Sequence, residues 1–170
     1  MAVPSNCILG IDTSLRGTGI GIISPRGNAF VIHESRTLHV PAAKPLSYAL
    51  DAIHTGISEI IEHHYTVAAA IEAIFYHKFV RTALLLGQAR GVVIACCARY
   101  GIPVYEYEPR LVKQAVCGYG GASKDQIQRM IQTLLHLDTL PPEDEADALG
   151  LAICHHHRSS QPLPLRPSPI

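Results

Sequence analysis

The order of the apolar runs constrains this chain more than any other feature of its sequence. Cys7 to Asp12 reads as a buried strand, Ile20 to Ile23 as a second and Ala29 to Thr37 as a third, with Pro25-Arg26-Gly27-Asn28 turning between the last two. From there strand-like and helix-like runs alternate. Leu46 to His64 has apolar residues at 46, 50, 53, 57, 60 and 61, a helical period. Ala68 to Glu72 predicts a short strand, Thr82 to Tyr100 an apolar helix, and Val104 to Tyr107 a strand after the breaker Gly101-Ile102-Pro103. Pro109 opens a short helix. Ser123 caps another, running to about Leu135, and Asp144 to His157 form the last after Pro141-Pro142. Three antiparallel strands followed by strand–helix alternation predict an α/β fold, a mixed five-stranded sheet with flanking helices.

Residues 1–158 accommodate these elements as one domain, and the Ser/Pro-rich residues 159–170 read as a disordered tail. Of the 170 residues 48% are hydrophobic and only 16% charged, which excludes a chain disordered throughout. Gln88 and Arg90 interrupt the longest apolar stretch, Thr82 to Ala98, short of the roughly 18 residues that span a bilayer, so no membrane partner is expected. The opening MAVPSNCILGID lacks a basic segment followed by an apolar one, and a cytoplasmic location follows by default. Five cysteines without CxxC spacing read as reduced, mostly buried thiols. Cys96 and Cys97 are neighbours on a helix, so their side chains diverge by about 100° and cannot easily share a metal. Cys154 precedes His155, His156 and His157, a metal-ligating run by residue type. Cationic histidines at a helix C-terminus are favoured by its dipole, however, so the run needs no metal to explain it.

A formal net charge of zero argues against a nucleic-acid partner, but its distribution does not. Residues 73–129 carry eight basic and three acidic side chains, between two segments in which acids predominate. Within those segments Asp12 ends the first strand and Glu72 the fourth, outside the carboxyl edge where α/β sheets build their sites. Asp144 and Asp147 stand three apart on one side of the last helix. If that side meets the strand ends, four carboxylates converge, a cluster suited to two Mg²⁺ ions about 3.5–4 Å apart for phosphodiester hydrolysis. The alternative is that Glu143, Asp144, Glu145 and Asp147 only complement the helix dipole. Gly17-Thr18-Gly19-Ile20-Gly21 lacks GxGxxG spacing and precedes a strand, so its glycines are expected to permit a tight turn beside Asp12 rather than to bind a nucleotide.

Ile8-Leu9-Gly10-Ile11-Asp12, then Arg16, Thr18 and Gly19, Ala70-Ile71-Glu72 with Phe75-Tyr76, Ala83-Leu84 and Leu86-Gly87-Gln88-Ala89-Arg90-Gly91 resemble the RuvC family of Holliday junction resolvases. The likeness continues through Pro103 to Tyr107, Val112-Lys113-Gln114 and Asp144 to Leu149, and covers about residues 7–157. It implies a ribonuclease H-like homodimer that binds four-way junction DNA and nicks two strands of like polarity. The ions would be Mg²⁺, two per site, with Mn²⁺ as a substitute, and a branch-migration complex is a candidate further partner. Carried over by motif, Asp12, Glu72, Asp144 and Asp147 match the catalytic, metal-holding carboxylates, Lys113 and Lys124 match basic residues that approach DNA, and Phe75 matches an aromatic that stacks near the junction centre. Tyr76, Lys78 and Arg81 adjoin it as further candidate DNA contacts. The chain departs from the family pattern at Thr13-Ser14, where Pro-Gly is usual, and at Phe79, where asparagine is common.

Two other readings stay open at this level: a ribonuclease H-like nuclease acting on RNA, and a junction-binding protein with little cleavage. An actin-like kinase needs two such domains, and this chain has one. Ala83, Gly87, Gly91 and Ala95 recur every four residues as a strip of small side chains, which suits either close packing on the chain's own sheet or, as the resemblance implies, a dimer interface.

Overall fold

Strand alternation sends Cys7, Leu9 and Ile11 of β1 (Cys7–Asp12) to one face of the sheet and Ile8, Gly10 and Asp12 to the other. Everything that positions the site follows from these two faces. The computed structural model describes residues 6–73, 80–162 and 165–170. Its five-stranded sheet has the order β3-β2-β1-β4-β5. Strands β2 (Gly17–Arg26) and β3 (Ala29–His39) continue antiparallel from β1, whereas β4 (Thr66–Glu72) and β5 (Val104–Tyr107) run parallel to it. On the first face α1 (Leu46–His63) and α2 (Val80–Arg99) cover Leu9, Ile11, Ile20, Ile22 and Ile71, with Ile53, Ile57 and Val93 among their own core residues. The second face packs against α5 (Glu143–Ser159), flanked by α3 (Pro109–Cys117) and α4 (Lys124–Leu134). The predicted mixed α/β architecture is therefore the observed one.

Local signals locate the helix starts. Pro109 occupies the first turn of α3, and Ser123 caps α4 in a reciprocal capping box with Gln126. The glycines after Asp12 behave differently from expectation. Strand β2 starts at Gly17 rather than Ile20, and its glycines form no tight turn. A Cβ on Gly19 would stand 2.0 Å from the Asp144 carbonyl oxygen, and one on Gly10 would stand 1.8 Å from that of Ala148. What these positions supply is room for the backbone of α5 to lie against the sheet. At the other end of β2, Pro25 and Arg26 belong to the strand, and Gly27-Asn28 alone make the turn, Gly27 at φ 63°.

Helix α2 also corrects an expectation, because at 20 residues it is, by length and composition, long and apolar enough to cross a bilayer. It packs instead on α1 and the sheet through Ala89, Val93, Cys96 and Cys97. The small-residue strip does not face inward: Gly87, Gly91 and Ala95 are exposed, and a Cβ on either glycine would meet nothing within 4 Å. Val80 and Leu84 near the start of the helix are 73% and 63% exposed. No disulfide joins any of the five cysteines. Near the C-terminus, the Ile170 amide donates to the Val104 carbonyl on the edge strand β5.

Candidate active site

Asp12 and Glu72 end adjacent parallel strands, and alternation from Gly10 and Ala70 turns both toward α5. Because α5 lies directly on Gly10 and Gly19, its first turns reach the same strand ends. Asp12, Glu72 and Asp147 line one cavity of about 320 Å³ together with Lys113 of α3 and Lys124 of α4. Asp144 lies close enough to act electrostatically on both Asp12 and Asp147.

Burial is the largest influence on Asp12, followed by the charges of Asp147, Glu72 and Asp144, and together they push its carboxyl up to about 7 against the pull of Lys124. Burial likewise raises Asp147, where Lys124 opposes it, Asp144 adds to it and Lys113 opposes it. The site thus concentrates more carboxylate charge than its two lysines compensate. Its donor set consists of carboxylate oxygens, which fit a hard divalent cation. Thr13 Oγ1, beside Asp12, is buried without a hydrogen-bond partner among the described residues.

The acids at the start of α5 divide their tasks. Glu143 pairs with Lys124, and Glu145 accepts a 2.6 Å hydrogen bond from Ser35 Oγ on β3. Asp144 and Asp147 are left to face Asp12, so dipole complementarity alone does not describe this turn. The loop after Asp12 is held by Ser14, one of the two residues there that depart from the family pattern, together with Thr18. Ser14 Oγ accepts from the Gly17 and Arg16 amides at 3.0 and 3.4 Å, and Thr18 Oγ1 donates to the Ser14 carbonyl.

Arg90 carries a role that sequence reasoning missed. Its guanidinium donates to the Glu72 carbonyl at 2.9 Å and pairs with Glu106 on β5, tying α2 to the ends of β4 and β5. The signal available in the sequence was a lone arginine deep inside an apolar helical run. Among the other candidates, Arg81 is exposed in the first turn of α2, while Phe75, Tyr76, Lys78 and the departure at Phe79 lie outside the described residues. The histidine run separates: His155 is buried with Nδ1 2.7 Å from the Tyr107 hydroxyl, and His156 and His157 lie against Phe30. Burial, with a smaller contribution from His156, lowers His155 to about 4, which keeps it neutral.

Comparison with known proteins bears on this geometry. Residues 8–155 match the family model described as crossover junction endodeoxyribonuclease RuvC. The chain is 44% identical over 151 residues to the RuvC endodeoxyribonuclease of Pelotomaculum thermopropionicum, covering 88% of this chain and 92% of that one. It is 46% identical over 148 residues to the RuvC of Chloroflexus aggregans, covering 86% and 90%. The structure of T. thermophilus RuvC in complex with a Holliday junction substrate superposes with a TM-score of 0.87 at 27% identity, covering 97% of this chain and 99% of that one.

Proposed function

The chain belongs to the RuvC family of crossover junction endodeoxyribonucleases, and from that premise we propose that it is a metal-dependent endonuclease that resolves four-way DNA junctions in recombination and repair. One observation carries the reading: Asp12, Glu72 and Asp147 share a cavity with Lys113 and Lys124, and Asp144 acts on it from its edge. Asp12, Glu72, Asp144 and Asp147 would hold the divalent ions, two Mg²⁺ with Mn²⁺ as a substitute, whose chemistry is to polarise the scissile phosphate and make the attacking water more acidic. In-line attack of water at phosphorus, with the 3′-oxygen leaving, gives 5′-phosphate and 3′-hydroxyl ends.

The protein's part is placement and charge. Arg90 fixes the backbone beneath Glu72, and the bed of Gly10 and Gly19 sets how near Asp144 and Asp147 come to Asp12. Lys113 and Lys124 offer cationic groups to the DNA backbone next to the carboxylates. Phe75, Tyr76, Lys78 and Arg81 follow Glu72 closely in the chain, and we assign them to the DNA-contacting surface. Paired symmetric nicks require two sites in fixed relation, and we assign a homodimer to the exposed face of α2, where Gly87, Gly91 and Ala95 leave room for a second backbone between apolar side chains such as Leu84. The five cysteines without a disulfide suit a reducing compartment, so the reaction is assigned to the cytoplasm. A branch-migration complex remains a proposed further partner.

An assay in Mg²⁺ comparing a four-way DNA junction, an RNA–DNA hybrid and linear duplex tests this function. Paired nicks confined to the junction are expected. Preferential cleavage of the hybrid would transfer the protein to RNA processing, and tight junction binding with no cleavage would make it a binding protein.

A further inference from the structure

At the opposite end of β1, and on the opposite face, three side chains of different chemistry meet. Cys7 opens β1, His33 belongs to β3, and His64 is the C-cap of α1, yet one ligand atom from each lies within 4.8 Å of the others. Two irregularities of the sheet accompany the cluster. Ile22 pairs with Glu34 and Ile23 with Ile32, so His33 is the unpaired residue of a bulge, and the β1–β4 register also shifts between Cys7 and Ile8. Bulges re-aim side chains and recur where a strand serves a site.

We propose that Cys7, His33 and His64 bind a borderline-soft divalent transition ion, Zn²⁺ being the best match, at a site separate from the carboxylates around Asp12. One thiolate and two imidazoles form a zinc-type donor set, with water completing a tetrahedron. Ligand atoms in such a site are about 3.3–3.7 Å apart, as bond lengths of about 2.0–2.3 Å require. The cluster needs only to draw in by about an ångström, and His33, at the exposed edge of the group, has the freedom to do so.

The surroundings supply the outer contacts that a metal-bound histidine normally has. Ser24, 4% exposed on β2, lies 2.7 Å through Oγ from His33 Nε2, and Glu34 lies 3.4 Å through Oε2 from His64 Nε2. A partner on one ring nitrogen fixes the ring and leaves the other nitrogen to give its lone pair to the ion. Partial burial and the neighbouring His64 lower the His33 imidazole from its ordinary value, and it is the neutral ring that a metal binds. Cys7 would lose its thiol proton to solvent as the sulfur–metal bond forms. The ion would join β1, β3 and the C-cap of α1.

Co²⁺ added to the full chain reads the site directly, since thiolate-to-cobalt charge transfer absorbs in the near ultraviolet and carboxylate ligands give no such band. One equivalent per chain should produce the band, Zn²⁺ should displace it, and excess Mg²⁺ should leave it intact. Cys7→Ser should abolish it. His33→Ala and His64→Ala should weaken Zn²⁺ affinity, measured by chelator competition, at least tenfold. No band, or a band of full strength in Cys7→Ser, overturns the site. Should Cys7→Ser fail to fold, an unchanged Zn²⁺ affinity in His33→Ala overturns it equally.

Discussion

The two ends of β1 make opposite use of one short strand. At its carboxyl end Asp12 meets Glu72, Asp144 and Asp147, an oxygen-donor cluster on the α5 face. At its amino end, about 16 Å away by strand geometry, Cys7 meets His33 and His64 on the α1 face. What differs is what each end receives from the rest of the fold. Parallel pairing of β1 with β4 brings two strand ends and their acids together, and α5 delivers two more from its first turns. The amino end instead receives a helix C-cap and a bulged residue of β3. Hard and soft donors are thereby kept apart.

The largest expected effect separates the two ends at once. Asp12→Asn, Glu72→Gln, Asp144→Asn or Asp147→Asn should each lower junction cleavage by on the order of 10³-fold or more, because losing a ligand charge disables ion binding. Junction binding measured by gel shift should survive. So should the Co²⁺–thiolate band at the far end, and a band lost with Asp12→Asn would show that the ends are coupled. Glu143→Gln should retain cleavage, since Glu143 pairs with Lys124 rather than facing Asp12. Loss as deep as in Asp144→Asn would move the ligand to Glu143.

A smaller effect lies in the pH dependence of metal-free protein. Burial and the neighbouring carboxylates push the Asp12 carboxyl up to about 7 in the folded chain, from an ordinary 3.8, so between these values the folded chain keeps a proton that the unfolded chain has lost. Stability from this group is therefore present below pH 4 and is lost as pH rises through about 7. Asp12→Asn should then be more stable than wild type by on the order of 2–4 kcal/mol at pH 8 and closely matched at pH 4, read by urea unfolding in EDTA. Mg²⁺ should narrow the gap. Equal stability at both pH values would remove the repulsion on which the metal assignment relies.

Glycine substitutions probe the bed of α5 rather than the charges. Gly19→Ala should destabilise by about 1–3 kcal/mol and reduce cleavage, since its Cβ would press on the Asp144 carbonyl. Gly91→Ala, with open space around it, should stabilise the isolated chain by about 0.5–1 kcal/mol, as alanine does in a helix interior. Gly91→Leu should fold yet sediment as a monomer unable to make paired nicks. A monomeric wild type that cuts both strands in one binding event would refute the dimer. The smallest effect expected is that of Lys124→Ala, which should weaken junction binding and lower the salt slope by about one unit for one lost phosphate contact.

Much of this was legible in the chain because it is written locally. Alternation in Cys7 to Asp12, the proline at 109, the capping serine at 123 and the Asp144–Asp147 spacing each act within a few residues, and they determined the strands, the helix starts and which face carries each acid. The family motifs, in order over residues 8–155, did the same for the activity class. Other features depend on neighbours distant in sequence, and only the tertiary structure decided them. The glycines of β2 looked like a turn because nothing near them reveals that α5 will lie on Gly19. The strip on α2 suits an inner or an outer face equally well until the sheet has claimed Ala89 and Val93. Arg90 meets Glu72 and Glu106 only once β4 and β5 pair, and Cys7, His33 and His64 come together across β1, β3 and the end of α1, where a register shift set by hydrogen bonding between whole strands leaves His33 unpaired.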